Sequence, residues 1–187
     1  NKKPADINLA MRHLSFIAHG YIWGDVEPHK ILPAVIAKPW VQIANEFDLW
    51  IFDDMIYSDL VYCEHPYVSP ATFEGGHERT LTIGGWSKIW AMTGWRLGWI
   101  TGPKEVMEGV KTCQASSASH VPTFLMGSGK VALELTDEPR MFYEAFAERR
   151  NVFHSLLEEL PGVKAPKPEG AFYILIDITG TGMDDIE

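Results

Sequence analysis

The sequence predicts an α/β fold, a mostly parallel sheet covered on both faces by helices. Three observations carry that expectation. Short continuous apolar runs end in polar residues or glycine, as strands buried on both faces do. Stretches with apolar residues at helical spacing alternate with those runs, and proline and glycine fall between the two kinds of segment. The 187 residues are 46% apolar and 22% charged, which places the chain among globular proteins rather than disordered or repetitive ones.

Residues 1–38 predict least. Asn8 to Ile22 mixes polar and aromatic side chains without a period, and Gly20, Gly24, Pro28 and Pro33 interrupt it. Trp40 to Phe47 has apolar residues at helical spacing, with Pro39 suited to the first turn. Leu49 to Phe52 predicts a strand buried on both faces that ends in Asp53-Asp54. Thr80 to Ile83, closed by Gly84-Gly85, predicts a second strand; Trp95 to Ile100, stopped by Thr101-Gly102-Pro103, predicts a third. Lys104 to Gln114 is a predicted helix with Val106, Met107, Val110 and Cys113 on one face, and Phe124 to Leu135 is another. A long helix over Pro139 to Leu160 places Phe142, Phe146, Val152, Phe153, Leu156 and Leu157 in apolar positions. Its wet face carries Glu144, Glu148, Arg149, Arg150, Glu158 and Glu159. Pro161-Gly162 ends it, and Ala171 to Ile178 predicts a further strand. The stretch after Asp177 has no cap or closing element, so the chain reads as a portion of something longer.

Sixteen Lys plus Arg against 25 Asp plus Glu leave a net charge of −9, which argues against nucleic-acid binding, since that affinity is mostly cation–phosphate attraction. No uncharged apolar run approaches the ~18 residues of a membrane span. Asn1 to Asp6 lacks the pattern of a secretory signal. Cys63 and Cys113 have no CxxC spacing and are too few for a disulfide framework, so a reducing, cytoplasmic setting is expected. The seven histidines form neither HExxH nor a zinc-spaced pair, and no metal site is expected.

In open α/β sheets ligands gather at the C-terminal ends of strands. Two polar clusters fall there: Asp54-Met55-Ile56-Tyr57 after the first strand, and Ser87-Lys88 after the second, with Arg96 eight residues beyond Lys88. Singly, each has a plain reading. Lys88 is a surface lysine, Asp54 a helix cap, Arg96 an ion-pair partner and Tyr57 a half-buried core residue. Trp86, Trp90, Trp95 and Trp99 read as core aromatics, and Asp53-Asp54 offers too few oxygens for a cation.

Together, the clusters resemble a known pattern. Gly84-Gly85-Trp86-Ser87-Lys88-Ile89-Trp90-Ala91-Met92-Thr93-Gly94-Trp95-Arg96-Leu97-Gly98 resembles the lysine signature of class I and II aminotransferases, pyridoxal-phosphate enzymes of fold type I close to aspartate aminotransferase. Asp54-Met55-Ile56-Tyr57 is similar to that family's Asp-Glu-x-Tyr element, with Met55 in place of Glu. Pro168-Glu169-Gly170-Ala171-Phe172-Tyr173 is similar to its Pro-x-Gly-Ala-Phe-Tyr strand. The resemblance covers about residues 39–178. It implies a three-layer α/β/α large domain, partial here, over residues 1–138. Residues 139–187 would be a linking helix and the start of an α+β small domain.

The resemblance also implies roles. Lys88 would form a Schiff base with pyridoxal 5′-phosphate and then shuttle the Cα proton, for which its amine must be neutral. Asp54 would face the pyridine nitrogen and keep it protonated, making the ring an electron sink. Tyr57 would donate to the ring oxygen O3′. Arg96 would grip the phosphate with its planar fork, helped by Ser87 and by the backbone at Gly84 and Gly85. Family members often carry Ser or Thr at the position of Gly85. Ile56 reads first as a core residue and second as packing on one face of the ring. The implied substrates are an amino acid and a 2-oxo acid, and the implied assembly is a homodimer. Ser116 to His120 reads equally as the stretch bordering a partner subunit and as a solvated helix end.

The family's Asn-Pro-x-Asn-Pro-Thr-Gly loop is absent from the region that reads His19-Gly20-Tyr21-Ile22-Trp23-Gly24-Asp25. Its Gly-rich phosphate loop and ring-stacking aromatic lie earlier than Asn1, and its substrate-carboxylate arginine lies later than Glu187. The substrate amino acid is therefore not legible, and the 187 residues alone are expected to lack turnover. A β-eliminating lyase or a cyclopropane-forming synthase would use the same lysine and aspartate, and a non-catalytic descendant would act only as an interaction or regulatory domain. A nucleotide-binding oxidoreductase ranks low, because no GxGxxG or Walker motif occurs.

Overall fold

Residues 34–184 are described in the computed structural model, so the expectation for Asn8 to Ile22 lies outside them. In chain order the elements are α1 (Ala34–Phe47), β1 (Ile51–Asp54), β2 (Thr80–Gly85), β3 (Gly98–Thr101), α2 (Lys104–Ser117), α3 (Thr123–Glu134) and α4 (Asp137–Glu158). Short 3₁₀ turns lie at Pro70–Thr72, Thr93–Trp95 and Thr179–Thr181.

Helix α1 begins before the predicted start, with Pro39 inside it. Ala37, Trp40, Val41 and Ala44 recur at helical spacing and are all buried, so the apolar stripe extends upstream of the proline. Pro39 lies just past the first turn, whose N–H groups have no intrahelical acceptor, and it forfeits a single bond there. The stripe packs on Ile51 of β1, with Leu49 and Phe73 at its margin. The helix ends at Asp48, which is left-handed at φ +56° and forms a 2.8 Å ion pair with Arg79.

The sheet order is β1-β2-β3. Strand β1 runs parallel to β2, with Asp54 opposite Ile83. Strand β3 is antiparallel to β2, with Gly85 opposite Gly98, so this part of the sheet is mixed rather than all parallel. The predicted third strand starts late, because Thr93–Trp95 is a 3₁₀ turn and Arg96 is left-handed at φ +52°. Strand β1 is buried on one face only. Ile51 and Asp53 are covered, while Phe52 on the opposite face is 59% exposed among the described residues.

Helices α2 and α4 are less covered than their sequences predict. Cys113 is exposed, and so are Val152, Phe153 and Leu156, whereas Leu157 is buried. Arg150 is not on the wet face: its guanidinium carbon stands 4.3 Å from the centre of the Tyr62 ring, and Nη1 donates to the Pro168 carbonyl at 3.0 Å. Residues Ala171 to Ile178 form no strand ladder. Among the described residues the bridges here are single ones, Lys164 with Asp177 inside this stretch and Val61 with Gly170 just before it. No helix among the described residues is long and apolar enough to cross a membrane.

Candidate active site

The parallel pairing of β1 and β2 brings the ends of both strands to one edge. The Met55 N–H donates to the Ile83 carbonyl at 2.9 Å, so the segment from Asp54 to Tyr57 leaves the sheet beside the segment that leads to Lys88. Asp54, half-buried, accepts the Ile56 N–H at 3.3 Å, an Asx turn that starts the tight bend through Tyr57. The Leu60 N–H closes on the Tyr57 carbonyl at 2.9 Å. The bend folds Tyr57 inward, to 8% exposure, into a cluster with Leu60, Ile89 and Ala171. Ile56 packs at the margin of that cluster, in agreement with its plain reading as core.

Lys88 lies in the turn after β2 and is half-buried. Its Nζ stands 5.4 Å from the centre of the Tyr57 ring and 5.3 Å from that of Phe172. It has no hydrogen-bond acceptor and no acidic partner among the described residues. The loop that carries it is closed on itself: the Trp86 N–H donates to Leu97 O at 3.4 Å, Met92 N–H to Trp86 O at 3.3 Å, and Ala91 N–H to Lys88 O at 3.0 Å. The Trp86 indole pins the loop to α3 through Gly129 O at 3.0 Å.

Glycine is required beneath this loop. A Cβ on Gly85 would lie 2.8 Å from Leu97 O and 3.3 Å from Ile56 Cδ1, and one on Gly84 would fall on the Trp99 ring. That close approach leaves no room for a side chain at Gly85 in this chain, where the resembled family often carries a hydroxyl residue. Arg96, exposed and left-handed, donates from Nη1 to Thr93 O at 2.9 Å, and its other N–H groups meet no acceptor among the described residues. Ser87 is half-buried. The structure thus brings Tyr57, Ile56, Gly85 and Lys88 together. Asp54 stands three residues before Tyr57 on the same bend, while Arg96 closes the far end of the lysine loop.

Two aromatic residues at this site carried no role in the sequence reading. Tyr57 Oη and Tyr173 Oη are 2.7 Å apart, and Phe172 stands edge-on to Tyr57 with ring centres 5.3 Å apart. The segment is docked by backbone bonds, Tyr62 N–H to Glu169 O at 2.7 Å and Ala171 N–H to Leu60 O at 2.8 Å. Ala171 then turns through φ +56° and presents both rings. The Pro168–Tyr173 motif was the available signal, but its distance from Tyr57 along the chain hid the contact.

Asp53 points the other way from Asp54. It is fully buried and accepts hydrogen bonds from Tyr67 and Ser69. Burial pushes its carboxyl above the usual range, against the lowering effect of those two bonds, and the Asp54 charge adds to the rise. Burial and the Asp53 charge likewise push the Tyr67 phenol upward. No group of three or more His, Cys, Asp or Glu among the described residues is arranged to hold a metal ion.

The chemistry of this donor set suits pyridoxal phosphate: an amine without an acidic partner, a carboxylate, a phenol, a guanidinium with uncommitted donors, and a glycine floor that leaves no room for side chains. Comparison with known proteins agrees. The sequence profile described as Aminotransferase class I and II matches residues 35–186. The aspartate aminotransferase of Musicola paradisiaca is 37% identical over 147 residues, 78% of this chain and 37% of that protein. The aspartate/prephenate aminotransferase of Cereibacter sphaeroides is 40% identical over 137 residues, 71% of this chain and 34% of that protein. Among solved structures, the aromatic aminotransferase of Pyrococcus horikoshii superposes with a TM-score of 0.79 at 30% identity, covering 83% of this chain and 42% of that one. A Thermus thermophilus aspartate aminotransferase variant gives 0.73 at 34% identity, covering 81% and 40%. The chain therefore spans little more than a third of the length of those two curated relatives, and within that span it has the aspartate aminotransferase fold and belongs to the class I and II aminotransferase family.

Proposed function

We propose that the chain is the cofactor-binding portion of a pyridoxal-phosphate-dependent aminotransferase that moves an amino group between an amino acid and a 2-oxo acid. The observation that carries this reading is the Lys88 amine, held over Tyr57 and Phe172 at the C-terminal end of β2 with no acidic partner among the described residues. Bound pyridoxal phosphate supplies an electron-withdrawing ring that accepts the electron pair released at the substrate Cα. Lys88 would hold the cofactor through Nζ and, when free of it, would move the Cα proton. Asp54 keeps the ring nitrogen protonated, and Tyr57 donates to the ring oxygen. Arg96, Ser87 and the backbone at Gly85 bind the phosphate, and Ile56 backs the ring from the core.

Residues 1–138 then belong to a large cofactor domain, and residues 139–187 to the linking helix and the start of a small domain. A homodimer fits the exposed apolar residues of α3, among them Phe124 at 78% exposure. A cytoplasmic location fits the free thiols Cys63 and Cys113.

The test is an absorption scan of purified protein with added pyridoxal phosphate, followed by borohydride fixation and peptide mapping. A visible band fixed on Lys88 and lost in Lys88→Ala is expected. Label scattered over surface lysines, or none retained, overturns the reading.

A further inference from the structure

Tyr57 has one hydroxyl proton, and its oxygen is 2.7 Å from the Tyr173 oxygen, so only one of the two phenols donates in that bond. If Tyr57 spends its proton on the cofactor ring oxygen, Tyr173 must be the donor. We propose that Tyr173 is a positioning residue, whose hydroxyl donates to Tyr57 and sets how strongly Tyr57 donates to the cofactor. This rests on the cofactor reading of the site, and it assigns the 168–173 segment a part in the chemistry as well as in packing.

Three features favour a built contact over a chance one. Tyr57 is 8% exposed, so water competes little for its oxygen. The Tyr173 ring stands edge-on to the Tyr57 ring, centres 5.7 Å apart at 84°, which fixes the direction of approach. The segment that carries Tyr173 is held at the Tyr57 bend by the two backbone bonds of the Val61–Gly170 bridge, then redirected at Ala171, a left-handed non-glycine residue. Strain of that kind persists only where the surroundings hold it.

The physical link is cooperative hydrogen bonding, since a hydroxyl that accepts a bond becomes a stronger donor. Loss of the Tyr173 hydroxyl weakens donation by Tyr57, leaves more negative charge on the ring oxygen, and so makes the nitrogen joined to Lys88 hold its proton to higher pH. The titratable groups around Tyr57 are Lys88 from the β2 loop and Tyr173, which touch it, and Tyr62 from the following bend and Tyr143 from α4, which pack on its cluster; Asp54 lies three residues earlier in the chain.

The test follows the pH midpoint of the cofactor's visible band in the holoenzyme. Tyr173→Phe keeps the ring contacts and removes only the hydroxyl, and it is expected to raise the midpoint by roughly half a pH unit. In a Tyr57→Phe background the same change is expected to move nothing, because the link runs through the Tyr57 oxygen. An unchanged or lowered midpoint, or equal shifts in both backgrounds, overturns the proposal while leaving the cofactor reading intact. Absence of any band on Lys88 in the unaltered protein overturns both. Thermal melts of the Phe variants, expected to fall by no more than the loss of one hydrogen bond allows, separate this from loss of folding.

Discussion

The chain has two buried clusters, and they are made differently. Beneath α1, Trp40, Val41, Ala44 and Ile51 come from neighbouring stretches and meet through aliphatic and indole surface. Around Tyr57, four segments converge: the bend after β1, the lysine loop after β2, α4, and the stretch from Gly170 to Tyr173. The second cluster carries phenols and a half-buried ammonium where the first has almost none. A sequence secures a fold cheaply with local apolar periodicity, but it places chemistry by drawing polar ends of rings from distant segments onto one small volume.

The largest effect expected from breaking this contrast comes from Ile51→Ala. Ile51 is 2% exposed in the α1 cluster, and truncating such a residue costs about 2–5 kcal/mol. Tyr57→Phe in the other cluster costs no more than about 1.5 kcal/mol, the net worth of one hydrogen bond, while lowering the affinity for added pyridoxal phosphate by about fivefold to tenfold. Urea unfolding beside a cofactor titration measures both. Equal stability losses, or unchanged cofactor affinity in Tyr57→Phe, would show that the two clusters do not divide the work in this way.

A smaller effect separates the glycines of the lysine loop. Gly85→Ala drives a methyl group to 2.8 Å from the Leu97 carbonyl, whereas Gly94→Ala meets nothing within 4 Å. Overpacking of the first kind costs about 1–3 kcal/mol. Gly85→Ala is therefore expected to lower the melting temperature, and Gly94→Ala to leave it nearly unchanged. Comparable melting temperatures for the two would mean that β2 and β3 separate easily at Gly85.

These contrasts also mark what was legible in the sequence. The strand ends, the loop from Gly84 to Gly98 and helices α2 to α4 were legible because each rests on residues close together in the chain. The upstream start of α1 was hidden, since Pro39 reads as a helix start while the buried Ala37 that continues the apolar stripe lies before it. The antiparallel direction of β3 was hidden because strand direction, like the left-handed Arg96 and the 3₁₀ turn before it, leaves no periodic trace. The single-bridge pairing near Ala171 depends on strand neighbours, which periodicity does not report. Of the candidate site, the resemblance singled out Lys88, Asp54 and Tyr57, and Lys88 and Tyr57 do lie in contact. Phe172 and Tyr173 were not legible, because a ring joins a site through a contact more than a hundred residues long in sequence.

Asp53 sharpens the comparison most finely, because it puts a carboxylate on the same face of β1 as Ile51. Its folded-state carboxyl is raised by burial above the ordinary value of about 4. The folded protein thus keeps this proton to a higher pH than the unfolded chain does. Stability from the group is complete below about pH 4 and is lost as pH rises through the folded value, because the unfolded state gives up its proton first. Asp53→Asn cannot ionise, yet its amide can still accept from Tyr67 or Ser69. The variant is expected to lack the decline in melting temperature that this one group contributes on going from pH 4 toward neutrality. Melts at several pH values in one buffer series measure the difference between the two proteins. A parallel pair of curves would mean that Tyr67 and Ser69 compensate the buried charge fully, and that β1 carries its anion as cheaply as it carries Ile51.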